Sequence, residues 1–335
     1  MKLDSFSEDA ILRKIAYGAG LSSKKHASQS PLLLGIGDDA ALFQPLPGYQ
    51  TVLTCDWFLE GTHFLRGQHR PDSVGWKCLA RAVSDVAAMG AKPRCFLLSL
   101  ALPSSLTGPW LDGFLRGLRR ASRKFQCVLA GGDTTRCAQI LIDVTVVGEV
   151  QKRCALLRSG ARPGDLLYVS GRLGEAELGL QLLKERKGLA NPQNSLLRKH
   201  LYPEPRLALA QWLAAKRLVT AMMDISDGLS SDLPRLCAAS GVGARLEAPK
   251  IPCIKTPAHL RRIGTDSLEL ALHGGDDYEL LFTLPPHRKY LLPRSFRGVP
   301  LTEIGIITTK KRVVLVDENS REHPLPACGW DPFRS

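Results

Sequence analysis

The first half of the chain alternates between short apolar stretches and helical patterns. Four apolar or alternating segments predict strands, at residues 32–36, 51–55, 96–102 and 140–148. Apolar residues at helical spacing predict helices over 72–89 and 109–124. A capping-box spacing from Ser5 to Glu8 predicts a further helix at the beginning of the chain.

The second half repeats this interleaving after a turn-rich segment from Gly160 to Asp165. Strands are predicted at 166–169, 221–225, 279–283, 301–307 and 313–316, and helices at 175–186, 205–215 and 230–239. We place a domain boundary near residue 150, which gives domains of residues 1–150 and 151–335. Because strands and helices interleave in both, each domain is expected to be α/β or α+β.

Composition narrows the class of partner and the compartment. The 335 residues carry 45 Lys and Arg against 32 Asp and Glu, a net charge of +13 that favours nucleic acid, acidic lipid or phosphorylated small molecules. The nine cysteines form no C-x-x-C pair, which excludes a zinc ribbon and argues against a disulfide framework. With no signal-peptide pattern or membrane-length apolar run, we expect a cytoplasmic protein that has no membrane association.

Aspartate recurs beside glycine or serine at predicted strand ends and turns, whereas the P-loop and dinucleotide-binding glycine motifs are absent. The segments are Gly35–Ala41, Thr54–Asp56, Val83–Asp85, Ala130–Thr134, Asp224–Asp232 and Gly274–Glu279. Clustered carboxylates repel one another unless cations lie among them, and Mg²⁺ prefers such oxygen ligands together with phosphate oxygens. The pattern predicts a site with several Mg²⁺ ions that binds a nucleoside triphosphate.

A purely structural role is the alternative for each of these aspartates, because Asp and Gly are also common in turns and Asp caps helices. On that interpretation Asp232 only starts a helix, Asp277 only forms a turn and Asp38 only accepts a hydrogen bond behind the site. Asp85 fits the alternative less well. It shares an otherwise apolar helical stripe with Cys78 and Met89, where an unpartnered carboxylate is costly.

These motifs resemble, in order and over nearly the whole chain, those of the thiamine-monophosphate kinase family. The matching segments are Gly35–Ala41, Glu60–Phe64, Ser84–Ala91, Gly131–Arg136, Asp224–Leu229, Asp277–Leu280 and Gly329–Phe333. Several are shared with the wider superfamily of aminoimidazole ribonucleotide synthetase and selenophosphate synthetase. The histidine-containing segment and the C-terminal aromatic segment narrow the resemblance to the kinases.

The resemblance implies a two-domain fold like that of aminoimidazole ribonucleotide synthetase, which is α/β (α+β). The N-terminal domain would bind Mg-ATP and form a homodimer, and the C-terminal α/β domain would complete the active-site cleft. The implied reaction is direct in-line transfer of the γ-phosphoryl group of ATP to thiamine monophosphate. It gives thiamine diphosphate and ADP, as the last step of thiamine diphosphate biosynthesis, and it needs several Mg²⁺ ions and no catalytic side chain.

Site residues follow from the matching motif positions. The implied Mg²⁺ ligands are Asp39, Thr54, Cys55, Asp56, Asp85, Asp133, Asp224 and Asp227. The implied nucleotide-binding residues are Gly132, Asp133, Arg158 and Ser226, and the implied thiamine-binding residues are His63, Asp276 and Trp330. Two positions depart from the family: Cys55 replaces a common Ser or Thr, and Asp276 replaces a common Glu. Their direct contacts are therefore open.

Two other functions compete with this one. A related ATP-dependent enzyme would use the same fold with a different acceptor, although selenophosphate synthetase is expected to carry a reactive N-terminal cysteine and the first cysteine here is Cys55. A basic nucleic-acid-binding protein would use the positive residues Arg116, Arg119, Arg120, Arg123 and Lys124. The absence of a nucleic-acid-binding motif and the aspartate segments argue against it.

Replacing Asp85 or Asp133 with Asn tests the metal-ligand assignment. Each variant is expected to lose turnover and keep its fold, because the amide has no negative charge with which to bind Mg²⁺. Enzyme assays and circular dichroism of both variants would show this. Full activity in both would contradict the assignment.

Overall fold

The computed structural model describes residues 11, 13–15, 31–36, 39–185, 195–255 and 266–333. These residues form two compact units. Unit 1 contains most of the chain up to Arg153, and unit 2 contains Ala87–Gly90 and nearly all residues from Cys154 onward. Most of the helix predicted from Ser5 lies outside the described residues, although 11 and 13–15 are helical, and Asp38 also lies outside them.

Unit 1 is built on a four-stranded sheet with the order β3-β6-β4-β5. Its strands are β1 (Leu32–Leu34), β2 (Leu42–Phe43), β3 (Tyr49–Leu59), β4 (Lys92–Leu102), β5 (Val128–Arg136) and β6 (Leu141–Gln151). Its helices are α1 (Pro71–Ala88) and α2 (Pro109–Phe125), with a short 3₁₀ turn at Ser104–Leu106. Strands β1 and β2 form a separate antiparallel pair, and in the main sheet only β4 and β5 run parallel. The strands and helices predicted for 32–148 are confirmed.

Strand β5 was not predicted, because its Gly131-Gly132-Asp133 segment has the composition of a turn. The structure shows why glycine belongs in this strand. Gly132 has φ +149°, and a Cβ atom there would lie 1.9 Å from the carbonyl oxygen of Leu98 on β4. Glycine therefore allows two parallel backbones to approach where any side chain would collide.

Two glycines also set the packing of α1 against α2. A Cβ atom on Gly75 would lie 2.0 Å from the carbonyl oxygen of Phe114, and one on Gly117 would lie 1.8 Å from that of Asp72. Next to this contact, the rings of Trp76 and Phe125 meet edge-on with centroids 5.3 Å apart. The two helices thus meet backbone to backbone.

The two faces of β3 have different surroundings. Thr54 and Phe58 face α1, where Thr54 bonds to Asp85 and Phe58 lies under Arg81. On the opposite face the apolar side chains are open: Leu53 is 68% exposed, Trp57 is 56% exposed and Leu97 of β4 is 39% exposed. Unit 1 therefore carries a sheet face with exposed apolar side chains, which we call the open face.

Unit 2 contains an eight-stranded sheet with the order β14-β13-β9-β12-β7-β10-β8, in which β11 also pairs with β12. The strands are β7 (Leu166–Ser170), β8 (Ala221–Ile225), β9 (Gly243–Glu247), β10 (Glu279–Leu284), β11 (Ser295–Phe296), β12 (Val299–Thr308), β13 (Val313–Val316) and β14 (Glu322–Pro324). The helices are α3 (Glu175–Lys184), α4 (Ser195–Leu201), α5 (Leu207–Ala215), α6 (Leu229–Ser240) and α7 (Ser267–His273), with 3₁₀ turns at Ala248–Lys250 and Pro286–Leu291. All strands and helices predicted for this half are confirmed, whereas β9, β11, β14, α4 and α7 were not predicted.

Both faces of this sheet are covered. Leu281 of β10 packs into one core with Leu233 and Leu236 of α6, whereas its neighbour Phe282 packs into a second core with Leu213 of α5. Central strands buried on both sides explain the continuous apolar character of β8 and β10, since neither face meets water. Within the described residues, no helix has the length and apolar character needed to cross a bilayer.

Gly117→Ala is expected to destabilise unit 1, because its methyl group has to displace the backbone of α1 at Asp72. We expect a loss of roughly 2 kcal/mol or more in the free energy of unfolding, as for other overpacked sites. Gly67→Ala is the matched control, since a Cβ atom there meets no atom within 4 Å. Urea denaturation of both variants measures the effect, and equal stability would contradict the packing described.

Candidate active site

Thr54 and Asp85 form the first pair of predicted metal ligands that the structure brings together. The Thr54 hydroxyl on β3 donates to a carboxylate oxygen of Asp85 on α1 over 2.5 Å. Asp85 is held at this position by the apolar stripe of α1, which includes the fully buried Cys78 and Ala82. The Asp85 carboxylate therefore lies beside the Thr54 hydroxyl at the edge of the sheet, and both groups offer oxygen atoms that suit a hard metal ion.

Asp56 lies two residues further along β3, on the same face as Thr54. A guanidinium nitrogen of Arg81 on α1 is 4.0 Å from its carboxylate, and Arg81 also lies over the Phe58 ring at 5.6 Å. Arg81 precedes Asp85 by one helical turn, so α1 presents a cation and a carboxylate to consecutive same-face positions of β3. Sequence reasoning missed Arg81, although its spacing from Asp85 was visible.

Cys55 projects to the other face of β3, because successive side chains on a strand alternate. Its thiol donates to a carboxylate oxygen of Asp143 on β6 over 2.9 Å, and Thr145 bonds to the other oxygen over 3.4 Å. The hydrogen bond to Asp143 is the main cause that raises the pKa of the Cys55 thiol. The structure therefore places the Cys55 side chain on the open face, away from Thr54 and Asp56.

His63 is half-buried in the turn that follows β3. Its Nδ1 accepts the backbone N–H of Leu59 over 3.0 Å, and its ring lies 5.8 Å from that of Phe58. The Nδ1 bond fixes the ring orientation and leaves Nε2 as the other polar atom of the imidazole.

The remaining candidate residues of unit 1 are exposed. Asp133 stands opposite Ser99 of β4 and accepts the backbone N–H of Thr134 over 2.8 Å. Gly132 precedes it in β5, and Asp39 lies in the segment between β1 and β2. Polar groups with this accessibility are available to a ligand from solvent.

In unit 2, Asp224 lies in β8, and Ser226 and Asp227 lie between β8 and α6. We call residues 224–232, which run from the end of β8 into the first turn of α6, the β8–α6 loop. Asp224 is buried opposite Leu280 of β10, whereas Ser226 and Asp227 are half-buried. The fully buried Asp232 accepts the backbone N–H groups of Ser226 and Asp227 with one oxygen, both over 3.0 Å. Burial raises the pKa of Asp232 to about 6, with the charge of Asp227 contributing. Asp232 therefore shapes the loop rather than only starting the helix.

Arg235 joins the two carboxylates of this loop. Its guanidinium donates to Asp227 and, over 2.8 Å, to Asp232. Sequence reasoning missed Arg235, for which the signal was its position three residues after Asp232 on the predicted helix. A cation thus already lies between carboxylates that would otherwise repel.

A left-handed turn carries Asp276. Asp276 has φ +65° and Tyr278 has φ +51°, both unusual for residues other than glycine. The Tyr278 hydroxyl donates to Asp276 over 2.6 Å, and the buried His200 of α4 lies 3.9 Å from the same carboxylate. Between them, the fully buried Asp277 accepts the N–H groups that begin α3, Gly174 over 2.6 Å and Ala176 over 3.1 Å.

Glu279, two residues after Asp277, is fully buried at the start of β10. Its carboxylate accepts from Ser170 and Lys199, each over 2.5 Å, and from both nitrogens of the Arg206 fork. Burial alone would raise the pKa of Glu279, but Lys199 and Arg206 outweigh it and hold the pKa below its ordinary value. This paired charge anchors one end of the turn, and it was not predicted.

Trp330 follows β14 and is 40% exposed. Its backbone N–H donates to the carbonyl oxygen of Asp227 over 2.9 Å, which places the C-terminal segment on the β8–α6 loop. Arg158, by contrast, is exposed, and its carbonyl oxygen accepts from the Ser240 hydroxyl over 2.9 Å. The structure therefore brings Trp330 to Asp227, whereas Arg158 contacts the end of α6.

Chemically, the predicted ligands are hydroxyl and carboxylate oxygens, the donors that Mg²⁺ prefers. Among the residues that the structure describes, no group of three or more His, Cys, Asp or Glu side chains stands ready to hold a metal ion. The Arg235 guanidinium beside Asp227 shows that this carboxylate accommodates a cation. The donor set fits Mg²⁺ bound jointly with phosphate oxygens, which complete a coordination shell that the protein groups only begin.

Known protein families match both units. The family described as AIR synthase related protein, N-terminal domain, matches residues 37–150, and its C-terminal domain counterpart matches residues 162–318. The thiamine-monophosphate kinase of Bacillus subtilis (strain 168) is 35% identical over 90% of this chain and 94% of its own. The chain belongs to the thiamine-monophosphate kinase family. The kinase of Escherichia coli (strain K12) is 38% identical over 92% of this chain and 94% of its own.

Solved structures of this kinase family share the fold. Thiamine-monophosphate kinase from Stenotrophomonas maltophilia K279a has a TM-score of 0.76 at 36% identity, covering 92% of this chain and 96% of its own. AaThiL complexed with AMPPCP and TMP has a TM-score of 0.74 at 33% identity and covers 99% of both chains. The hydrogenase maturation protein HypE of E. coli is 19% identical with a TM-score of 0.75, a likeness of fold alone. The predicted α/β (α+β) fold like that of aminoimidazole ribonucleotide synthetase is confirmed.

Asp277 is expected to make the stability of this kinase pH-dependent. Burial raises its pKa from 3.8 to about 7, so the folded chain holds this proton more tightly than the unfolded chain does. The stabilisation is therefore largest at acidic pH and is lost as the pH rises towards 7. Asp277→Asn is expected to flatten the decline in the free energy of unfolding between about pH 5 and pH 7, measured by urea denaturation. An unchanged slope would contradict the shift.

Proposed function

We propose that this chain transfers the γ-phosphoryl group of ATP to the phosphate of thiamine monophosphate, giving thiamine diphosphate and ADP. Family membership carries the proposal, because relatives with this name match about nine-tenths of the chain. The AMPPCP and TMP of the AaThiL complex fit it, since AMPPCP is an ATP analogue and TMP abbreviates the acceptor. The chain is an ATP-dependent phosphotransferase whose acceptor is itself a phosphate.

This chemistry needs little from protein acids and bases. A terminal oxygen of the thiamine monophosphate phosphate is the nucleophile, and it is largely ionised near neutral pH. It forms a bond to the γ-phosphorus as the bond to the β,γ-bridging oxygen breaks, and the electron pair leaves with ADP. Because two anions must meet in line, positioning and charge neutralisation dominate. We therefore assign no catalytic acid or base.

Several Mg²⁺ ions are part of the proposal. We propose that the side chains of Asp39, Thr54, Asp56, Asp85, Asp133, Asp224 and Asp227 hold them. Within the sheet of unit 1, Asp133 would do so from the open face, and Thr54 and Asp56 from the face that meets α1. For Cys55 we propose a contact through its backbone only, since the thiol bonds to Asp143 on the open face. Bound Mg²⁺ would neutralise the phosphate oxygens and the charge that develops on them during transfer. That the C-terminal half completes the same site stays a prediction.

The remaining candidate residues recognise the two substrates. For the nucleotide we propose Gly132, Asp133, Arg158 and Ser226, of which the exposed Arg158 offers a planar fork suited to phosphate. For thiamine monophosphate we propose His63, Asp276 and Trp330. The exposed Trp330 suits a cationic thiazolium, and Asp276 is supported by the Tyr278 bond that fixes its carboxylate.

A homodimer is proposed through unit 1. The open face carries Leu53, Trp57 and Leu97, an apolar patch of a kind that water-facing surfaces rarely keep. A second copy of this sheet would cover it with the same side chains, as in a two-fold symmetric interface. A cytoplasmic location also stays a prediction.

The basic helix α2 does not favour the competing nucleic-acid function. Arg120 bonds to Asp72 over 3.3 Å and lies over the Trp76 ring at 5.5 Å, so part of its charge is used within unit 1. The helix instead buries its apolar side, including Phe114, Leu115 and Leu118, and leaves its arginines on the water side. That arrangement is typical of a solvated helix face.

Incubation of the purified protein with ATP, Mg²⁺ and thiamine monophosphate tests the proposal. We expect thiamine diphosphate and ADP in equal amounts, resolved by chromatography, because the transferred group comes from ATP alone. Thiamine replaces thiamine monophosphate in the control and is expected to give no thiamine diphosphate. Diphosphate formed from thiamine, or no transfer to the monophosphate, would overturn the assigned acceptor.

A further inference from the structure

The C-terminal segment that carries Trp330 is fastened to the β8–α6 loop at two successive residues. The backbone N–H of Gly329 donates to the Ser231 hydroxyl over 3.1 Å, and that of Trp330 donates to the carbonyl oxygen of Asp227 over 2.9 Å. Both acceptors belong to the loop that presents the Asp227 carboxylate. The backbone of Trp330 is therefore located by the backbone of a proposed metal ligand.

Gly329 is required at this contact for steric reasons. A Cβ atom there would lie 2.1 Å from the carbonyl oxygen of Asp227 and 2.5 Å from Oγ of Ser231. Real Cβ atoms do not approach oxygen so closely, so any other residue would have to displace one of the two segments. Glycine thus sets how near the C-terminal segment lies to the loop.

The loop is the better anchored of the two segments. Asp232 accepts the Asp227 and Ser226 N–H groups, and Arg235 bonds to the Asp227 carboxylate. The N–H of Ser231 also donates to the carbonyl oxygen of Gly228 over 2.9 Å, within the first turn of α6. A methyl group at Gly329 is therefore expected to move the C-terminal segment and to leave the loop in place.

We infer that Gly329 and Ser231 are positioning residues, which set the place of Trp330 by locking the C-terminal segment onto the Asp227 loop. The inference rests on the proposed function, in which Trp330 binds the thiamine part of the acceptor. It adds that acceptor recognition depends on a hydroxyl and a glycine that need not touch the substrate. It also gives Asp227 a second role, in which its carbonyl oxygen locates the acceptor-binding residue.

Steady-state kinetics of Gly329→Ala and Ser231→Ala test the inference. Gly329→Ala is expected to raise the KM for thiamine monophosphate by roughly tenfold, and Ser231→Ala, which removes one hydrogen bond, by about two- to tenfold. The KM for ATP and kcat are expected to change little, because the loop keeps its own anchors. Thermal unfolding of each variant verifies that it is folded.

A double-mutant cycle separates positioning from a general loss of structure. Trp330→Ala is expected to raise the KM for thiamine monophosphate more than that for ATP. If Gly329 acts through Trp330, adding Gly329→Ala to Trp330→Ala raises that KM no further. A purely structural role would make the two effects multiply.

Gly67→Ala is the control for a glycine replaced in open space, and it is expected to match the wild type. Wild-type kinetics for both positioning variants, or multiplied effects in the cycle, would overturn the inference. If Gly329→Ala fails to fold, Ser231→Ala in the same cycle decides. A wild-type protein that fails to phosphorylate thiamine monophosphate would instead overturn the proposed function, which keeps the two failures distinct.

Discussion

A carboxylate that leaves water has to be matched by hydrogen-bond donors or a cation, and both units are organised around this requirement. In unit 1, Asp85 meets the Thr54 hydroxyl and Asp56 lies near Arg81. In unit 2, the fully buried Asp232 and Asp277 accept backbone N–H groups, and Glu279 lies between Lys199 and Arg206. Each of these acidic side chains is thus held in place by its own hydroxyl, backbone N–H or basic partner.

The matching groups differ with the role of each acid. Asp277 and Glu279 are fully buried and satisfied entirely by the protein, so they hold the turn that carries Asp276. Asp56 and Asp227 stay half-buried beside arginines. The guanidinium of an arginine side chain can move away when Mg²⁺ binds the carboxylate, whereas a backbone N–H group cannot. Asp56 and Asp227 are therefore suited to binding Mg²⁺ together with phosphate oxygens.

Regular periodicity made much of the fold predictable from sequence. The alternation of β6 and the apolar runs of β8 and β10 follow directly from burial on one or both faces. Strand β5 was not predicted, because the segment around Gly132 has the composition of a turn. Only the close approach of Gly132 to Leu98 explains a strand there. Short edge strands such as β14 carry too few residues to show a period.

The candidate site was predictable as a set of motifs but not as a set of contacts. Strand alternation alone indicates that the Cys55 side chain cannot face the same way as those of Thr54 and Asp56. Its separation from these two side chains could therefore be predicted from the sequence. The link between Trp330 and Asp227 spans about a hundred residues and leaves no local signal, because it is made by backbone atoms. Such a link is visible only in the three-dimensional structure.

We propose that the carboxylates of this chain bind Mg²⁺ beyond the ion that accompanies ATP. The most direct measurement is the initial rate of thiamine diphosphate formation against Mg²⁺ concentration, at saturating ATP and thiamine monophosphate, for the wild type and Asp227→Asn. We expect a rate that keeps rising after all ATP is complexed, and a shift of that rise to higher Mg²⁺ concentration in the variant. A rate that levels off once ATP is complexed, identically in both proteins, would contradict it.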